Sequence, residues 1–200
     1  YASLADSITP DQTAALGQAM RRRAAREPVF HILGHREFFG LEIEVAPGVF
    51  VPRPETELLV EEALKLARAL PHGSCTLVDV GTGSGAVAVA LGIHLPTCHV
   101  YATEISTAAI DVAKANIGRY GLAERVTLLP GDLMAPLPGP ADIVVANLPY
   151  VRSEEIATLE PEVRLYEPRE ALDGGPDGLV VIRRLLRQAP NRLREGGALL

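Results

Sequence analysis

Cysteine, basic charge and long apolar runs are all scarce in this sequence, and each shortage excludes a class of protein. The two cysteines, Cys75 and Cys98, form no CxxC pattern and accompany no zinc-ligand set, so we expect reduced core thiols in a cytoplasmic protein. A net charge of −6 makes nucleic acid an unexpected direct substrate, because nucleic-acid binders usually carry a basic face. No apolar run approaches the roughly 18 residues that span a bilayer, so no membrane partner is expected. His31 and His35 lack an evident third ligand, and no metal site is predicted.

The 200 residues are 48% hydrophobic, enough for one compact domain and a small appendage. We divide them into a partial helical N-terminal domain (1–28), a β-hairpin connector (29–54) and an α/β domain (55–200). Thr9, Pro10 and Gln12 predict a capped helix start, with the helix running to about Arg26. In the connector, alternation over residues 38–51 predicts strands, and Pro47-Gly48 predicts their turn.

Short apolar segments alternate with helical segments over the rest of the chain. The predicted strands are Thr76–Val80, Val100–Thr103, Val126–Leu129, Asp142–Ala146 and Gly197–Leu200. The predicted helices are Glu55–Leu70, Gly85–Leu95, Ser106–Arg119 and Gly178–Leu193. This rhythm is typical of an α/β fold with a doubly wound, mainly parallel sheet.

A glycine-rich turn follows the first strand of that sheet. Gly81, Gly83 and Gly85, with Thr82 and Ser84 between them, would let the backbone approach a nucleotide-like cofactor closely. Gly85 follows Gly83 by two residues rather than three, and no Walker lysine follows, so the dinucleotide and P-loop patterns do not match.

Two carboxylates follow the next two strands. Glu104 ends the second strand, where it would accept hydrogen bonds from ribose hydroxyls, and Asp132 follows the third, where it would accept from an adenine amino group. The alternatives are a solvated strand-end carboxylate for Glu104 and a loop cap for Asp132.

The fourth strand ends in Asn147-Leu148-Pro149-Tyr150, and from here a family resemblance becomes specific. The family pattern at this place is Asn-Pro-Pro-Tyr. Other matching stretches are His31–Gly34, Phe38–Leu41, Val51–Glu57, Gly81–Gly85, Tyr166–Pro168, Ala171–Gly175 and Asp177–Leu179. Together they resemble the HemK/PrmC family of protein-(glutamine-N5) methyltransferases. The resemblance implies a class I S-adenosylmethionine-dependent (SAM-dependent) methyltransferase fold, with SAM as cofactor and a glutamine in a protein as acceptor.

The chemistry of amide methylation agrees with this pattern. An amide nitrogen is a poor nucleophile, so acceptor oxygens must orient it and offset the positive charge that develops on nitrogen. The Asn147 side-chain oxygen and the Leu148 carbonyl would each take one N–H of the acceptor amide. Pro149 completes the loop, and Tyr150 would form an aromatic wall beside the amide and the cationic donor.

The family also implies cofactor-binding roles for individual residues. The glycine turn would contact the methionine portion of SAM, Glu104 with Ile105 its ribose, and Asp132 with Leu133 its adenine. Further residues would line the cofactor pocket or its lid: Phe38, Arg53, Glu55, Thr56 and Asn147, the last also on the acceptor side. The alternative for Arg53 and Glu55 is a structural ion pair at the hairpin-to-helix junction.

Several alternatives stay open at this stage. Similar Asn-Pro-Pro-Tyr loops serve amino-group methyltransferases that act on nucleic acids or small molecules, and a non-catalytic SAM-binding module is a second possibility. Among protein acceptors, the Gly-Gly-Gln loop of a peptide-chain release factor is preferred to a ribosomal-protein glutamine. Leu148 departs from the family's proline and leaves the loop less rigid. The family also has a longer N-terminal domain and two more C-terminal strands.

Overall fold

The computed structural model describes residues 7–71 and 74–200, so the first six residues of the predicted N-terminal segment lie outside the described residues. The strands of this part of the chain are β1 (His35–Phe38), β2 (Leu41–Glu44), β3 (Thr76–Val80), β4 (His99–Glu104), β5 (Val126–Pro130), β6 (Ala141–Ala146) and β7 (Leu193–Leu199). Its α-helices are α1 (Pro10–Ala24), α2 (Val29–Leu33), α3 (Glu57–Ala69), α4 (Ala86–His94), α5 (Thr107–Arg119), α6 (Pro161–Tyr166) and α7 (Val180–Gln188). Short 3-10 segments cover Pro54–Thr56, Ile156–Thr158, Arg169–Ala171 and Ala189–Asn191.

Five parallel strands form the main sheet in the order β5-β4-β3-β6-β7. The first strand of this sheet, β3, therefore lies at its centre. The chain adds β4 and β5 on one side of β3, then crosses back and adds β6 and β7 on the other side. A crevice opens at the carboxyl ends of β3 and β6, where the strand order reverses, and ligands of such sheets bind there. The predicted doubly wound architecture is confirmed.

The core lies on both faces of this sheet because β3 alternates its side chains between them. Leu77 packs with α3, α4 and the hairpin on one face, whereas Val78 and Val80 pack with Leu185 of α7 on the other. Every residue from Ala86 to Gly92 of α4 is buried, as expected for a helix that is apolar all round.

Helix α1 begins as predicted, with Thr9 as N-cap and a capping box completed by Gln12. None of its residues is buried, and polar contacts hold it against α6. Arg23 bonds Glu162 at 2.8 Å, and the Tyr166 hydroxyl donates to the Ala25 carbonyl at 2.7 Å. Among residues 7–71 and 74–200, no helix is long and apolar enough to cross a membrane.

The predicted hairpin was misplaced. Its turn is Phe39-Gly40 rather than Pro47-Gly48, and residues 49–51 form no strand. Phe39 and Gly40 both have positive φ, 53° and 72°, which a two-residue type I′ turn requires. The bounds predicted for the last helix and the last strand were also inexact, since α7 is shorter and β7 begins earlier than expected.

The expectation of reduced thiols was wrong. Cys75 and Cys98 form a disulfide with a Cα–Cα distance of 4.6 Å. The parallel register pairs Thr76 with His99, which places the two preceding residues side by side at the amino ends of β3 and β4. This proximity comes from strand pairing, and a spacing of 23 residues along the chain does not indicate it.

Candidate cofactor and acceptor site

A cavity of about 250 Å³ occupies the crevice at the carboxyl edge of the sheet. Most of the predicted site residues line it: Phe38, Thr56, Gly81, Thr82, Gly83, Ser84, Glu104, Ile105, Asp132, Leu133, Asn147, Leu148 and Pro149. The strand ends bring these residues together from points more than 100 positions apart in the chain. Arg53, Glu55, Gly85 and Tyr150, which were also predicted, do not line this cavity.

The glycine turn forms a main-chain cradle beneath the cavity. Gly81 and Gly83 adopt left-handed φ values of 70° and 58°, and the Gly81 and Thr82 N–H groups donate to the Thr103 carbonyl at 2.9 and 3.0 Å. No atom lies within 4 Å of the position that a Cβ at Gly83 would occupy, so the backbone there faces open space. A ligand can therefore approach the main chain closely at Gly83.

Gly85 has a structural function instead. Its φ is +81°, and an added Cβ would lie 3.2 Å from the Cα of Ala113 in α5. The third glycine thus permits close packing between the turn and a neighbouring helix, and it does not contact the cavity.

Glu104, the last residue of β4, connects this strand to the glycine turn. Its carboxylate accepts from Gly83 N at 2.9 Å, and also from the N–H groups of Ile105 and Ser106 at 2.8 and 2.9 Å. Main-chain donors therefore orient the side chain at the cavity wall. A strand-end carboxylate that is only solvated, which was the alternative interpretation, would not have these partners. Carboxylate oxygens have further lone pairs with which to accept from a ligand hydroxyl.

Asp132 follows β5, the strand next to β4, and its carboxylate lines the cavity and forms an ion pair with Arg184 of α7. Arg184 also lines the cavity and was not predicted, because a cationic residue on an amphipathic helix gives no sequence signal of a site. Leu133, next to Asp132, has a positive φ of 50°.

Asp79, like Arg184, is a site residue that was not predicted from the sequence. It lines the cavity and accepts from the Thr82 hydroxyl at 2.5 Å and from Ala88 N at 3.1 Å. Burial raises the pKa of Asp79 to about 6, and the negative charge of Glu104 adds to that effect. The signal for Asp79 was its place in β3, two residues before the glycine turn.

A second cavity of about 170 Å³ adjoins the first at the acceptor loop. Asn147 and Leu148 line both cavities, as do Phe50 and Ala171, whereas Tyr150 and Arg53 line only the second. The other residues that line the second cavity are all apolar: Val151, Leu159, Val163 and Leu172. The two cavities thus meet at the predicted acceptor residues.

Arg53 does not pair with Glu55, and that alternative is wrong. Its guanidinium bonds Glu167 at 2.6 Å and lies over the Phe50 ring, 4.7 Å from the centroid. The Glu167 side chain is only 2% exposed, and burial raises its pKa although Arg53 opposes the rise. Arg53 therefore joins the connector to the segment after α6, and Glu55 lines neither cavity.

Within the acceptor loop, Asn147 is exposed and its side-chain amide N–H donates to the Thr56 hydroxyl at 3.0 Å. The Leu148 side chain is buried against the glycine turn, with its Cδ2 3.3 Å from the place of a Cβ on Gly81. Tyr150 is 67% exposed at the mouth of the second cavity.

The stretch 171–179 lies directly behind Tyr150. Val151 N donates to Leu172 O at 2.9 Å, and Gly174 N donates to Val151 O at 2.8 Å. A Cβ on Gly174 would lie 2.8 Å from the Tyr150 Cα, so the absence of a side chain lets this segment pack against the acceptor loop.

Within residues 7–71 and 74–200, no group of three His, Cys, Asp or Glu residues is placed to hold a metal.

Comparison with known proteins agrees with this geometry. The chain is 48% identical over 199 residues to the release factor glutamine methyltransferase of Moorella thermoacetica, covering 99% of this chain and 69% of the relative. It is 45% identical to the enzyme of the same name from Geobacter sulfurreducens, covering 100% of this chain and 69% of that protein. A solved methyltransferase from Pyrococcus furiosus is similar in fold, with a TM-score of 0.58, 21% identity, and coverage of 96% of this chain and 78% of that one.

The model of the ribosomal protein L11 methyltransferase (PrmA) family matches residues 58–163. That range contains the glycine turn and the acceptor loop but leaves out the hairpin, Arg53 and residues 171–179. Fold and site together define a class I SAM-dependent methyltransferase. More narrowly, the chain belongs to the release factor glutamine methyltransferase family.

SAM is the cofactor of this family, and the first cavity fits it. The fit rests on the open backbone at Gly83 and on two carboxylates that line the cavity from adjacent strand ends, Glu104 and Asp132. These groups match a molecule with a charged amino-acid end, a hydroxylated sugar and a base that carries an amino group.

Proposed function

We propose that this chain transfers a methyl group from SAM to the side-chain amide nitrogen of a glutamine in a protein, in the cytoplasm. The acceptor that we favour is the Gly-Gly-Gln loop of a peptide-chain release factor. The observation that carries the proposal is the meeting of the two cavities at Asn147 and Leu148, with the predicted cofactor residues on one side and a mostly apolar cleft on the other.

When bound, SAM supplies an electrophilic methyl group on a sulfonium. The Asn147 side-chain oxygen and the Leu148 carbonyl accept the two N–H bonds of the glutamine amide, which directs the nitrogen lone pair toward the first cavity. SAM held by the residues of the first cavity would supply the methyl group to that nitrogen, and the proton that the amide nitrogen gives up on methylation would pass to water. Alignment and acceptor oxygens supply the rate increase, so no strong base is required.

The second cavity supports a peptide rather than a nucleic acid as the acceptor. Its lining is mainly aliphatic, and within residues 7–71 and 74–200 Arg53 is the one cationic residue that lines it, already paired with Glu167. A phosphate backbone would need several free cations at the cleft. A glutamine side chain needs only a narrow apolar passage that ends in acceptors for its amide.

The direct test incubates the chain with SAM labelled in its methyl group and three acceptors in parallel: a release factor, a ribosomal protein that carries exposed glutamines, and duplex DNA. We expect label in the release factor and none when the glutamine of its Gly-Gly-Gln loop is replaced by glutamate, which keeps the shape but lacks the nitrogen. Label in DNA alone would refute the proposal. The absence of label in every acceptor, with SAM still bound, would favour a non-catalytic module.

Two substitutions separate the acceptor side from the donor side. Asn147→Ala should retain SAM affinity, measured by calorimetry, and lose most methyl transfer. Glu104→Ala should weaken SAM binding first, because it removes three main-chain contacts as well as the proposed ribose contact. Equal loss of affinity in both variants would contradict the assignment of Asn147 to the acceptor.

A further inference from the structure

The side-chain amide of Asn147 can present either its oxygen or its NH₂ group to an acceptor amide. Its oxygen and its NH₂ group are similar in size, but only the oxygen can accept a hydrogen bond. A glutamine amide nitrogen carries two donors, so an Asn147 rotated by 180° would place donor against donor. Because Asn147 is exposed at the end of β6, some other residue must select the productive orientation.

Thr56 is the residue in contact with the opposite end of that amide. Its Oγ1 accepts from Asn147 Nδ2 at 3.0 Å, across 91 residues of sequence. Within the described ranges, the Asn147 side chain makes no other hydrogen bond. This contact uses the donor end of the amide and leaves Oδ1 free.

The Thr56 hydroxyl is held in place by a packed element. Thr56 is the last residue of the 3-10 turn Pro54–Thr56 and directly precedes α3. Its N–H donates to Arg53 O at 3.0 Å. At the start of the helix, Glu57 accepts from Phe39 N at 2.9 Å, and Val60 is fully buried. A β-branched side chain has few χ1 choices, so a fixed backbone also fixes the position of Oγ1, which here acts as the acceptor for Asn147 Nδ2.

We propose that Thr56 is a positioning residue that orients the Asn147 amide, so that Oδ1 faces the acceptor nitrogen. This inference rests on the proposed function of the site. It also gives the Val51–Glu57 stretch a specific task, since the turn carries Thr56 to the acceptor loop. Thr56 was expected to line the cofactor pocket; it lines the first cavity, and it also contacts Asn147.

The test compares Thr56→Val, which keeps the shape and removes the hydroxyl, with Thr56→Ser, which keeps the hydroxyl. We expect Thr56→Val to lower kcat about five- to tenfold, the effect of one hydrogen bond, with a change in KM for SAM below about twofold. Thr56→Ser should recover most of kcat. Thr13→Val serves as the matched control, because it removes an exposed hydroxyl of α1 that donates to Thr9 O, and Thr13 lines neither cavity.

A second measurement does not depend on activity. The side-chain NH₂ signals of Asn147 can be assigned by NMR, because they vanish in Asn147→Ala. Loss of the Thr56 contact should shift those signals and speed their exchange with water in Thr56→Val but not in Thr56→Ser. If the wild-type chain methylates no protein, the proposed function fails, and this spectroscopic result still decides the contact.

Three results would overturn the inference. One is an unchanged kcat in Thr56→Val, and another is a KM for SAM that rises as much as kcat falls. The third comes from the double variant with Asn147→Ala. If Thr56 acts through Asn147, adding Thr56→Val to Asn147→Ala costs nothing further, so a full additional loss would show an independent role.

Discussion

Asp79 allows the sharpest prediction about stability, because its environment works against its charge. The side chain is 2% exposed beneath the cavity, and burial raises its pKa to about 6 from an ordinary value of 3.8. The native state therefore holds the Asp79 proton more tightly than the unfolded chain does. Between these two pH values the unfolded chain releases its proton first, so the free energy of unfolding falls as pH rises.

The size of the effect follows from the two pKa values. At about 1.36 kcal/mol per pH unit, the difference between 3.8 and about 6 corresponds to about 3 kcal/mol, fully lost once the pH exceeds the native pKa. Asp79→Asn removes the titration while keeping an oxygen to accept from Thr82 and Ala88. Relative to the wild type, the variant should gain about 2–3 kcal/mol between about pH 4 and pH 7.

Urea unfolding followed by circular dichroism, repeated at half-unit steps over that range, measures this difference. A constant offset from the new amide cancels, because only the change with pH is compared. Asp173→Asn provides a control of opposite sign, since hydrogen bonds from Ser153 and Gly175 N, with the Arg169 side chain, lower the pKa of Asp173. That contribution is present above pH 3.8 and is lost as pH falls. Parallel curves for the wild type and Asp79→Asn would refute the reasoning.

Two further predictions concern the cofactor cavity and the glycine turn. Arg184→Met should weaken SAM binding about two- to fivefold by calorimetry, because it releases Asp132, whereas Arg183→Met, outside the cavity, should leave the affinity unchanged; equal effects would contradict a role at the site. Gly85→Ala should lower the free energy of unfolding by about 1–3 kcal/mol, because φ is +81° and helix α5 lies 3.2 Å from the new Cβ. Gly118→Ala, inside α5 with no atom nearby, should raise it by about 0.5–1 kcal/mol, and a stabilising Gly85→Ala would disprove the argument.

Much of the fold could be predicted because its signals are local. The capping box at Thr9, the N-cap at Ser106 and the first four strands of the main sheet each depend on residues within a few positions of one another, and the structure has them where expected. The alternation of strand and helix then leaves few arrangements, since parallel strands need helical crossovers of one hand. The positions of the glycine turn, Glu104, Asp132 and the acceptor loop at one sheet edge followed from that topology.

Turn choice was less certain, because two candidate turns compete within the connector. Pro47-Gly48 has the more usual composition, yet Phe39-Gly40 forms the hairpin, and Phe39 adopts a positive φ that aromatic residues rarely take. Residue 38 is then only 1% exposed, so tertiary burial outweighed local turn preference.

Contacts between distant residues were decided only by the tertiary structure. Arg53 meets Glu167 across 114 residues, Arg184 meets Asp132 across 52, and strand register brings Cys75 to Cys98. None of these pairs has a spacing that local geometry would impose, so a sequence pattern cannot select them. The sequence by itself thus determined the fold class and the positions of the glycine-rich turn and of the loop from Asn147 to Tyr150. Packing decided which partners hold those residues in position, because that depends on which surfaces meet.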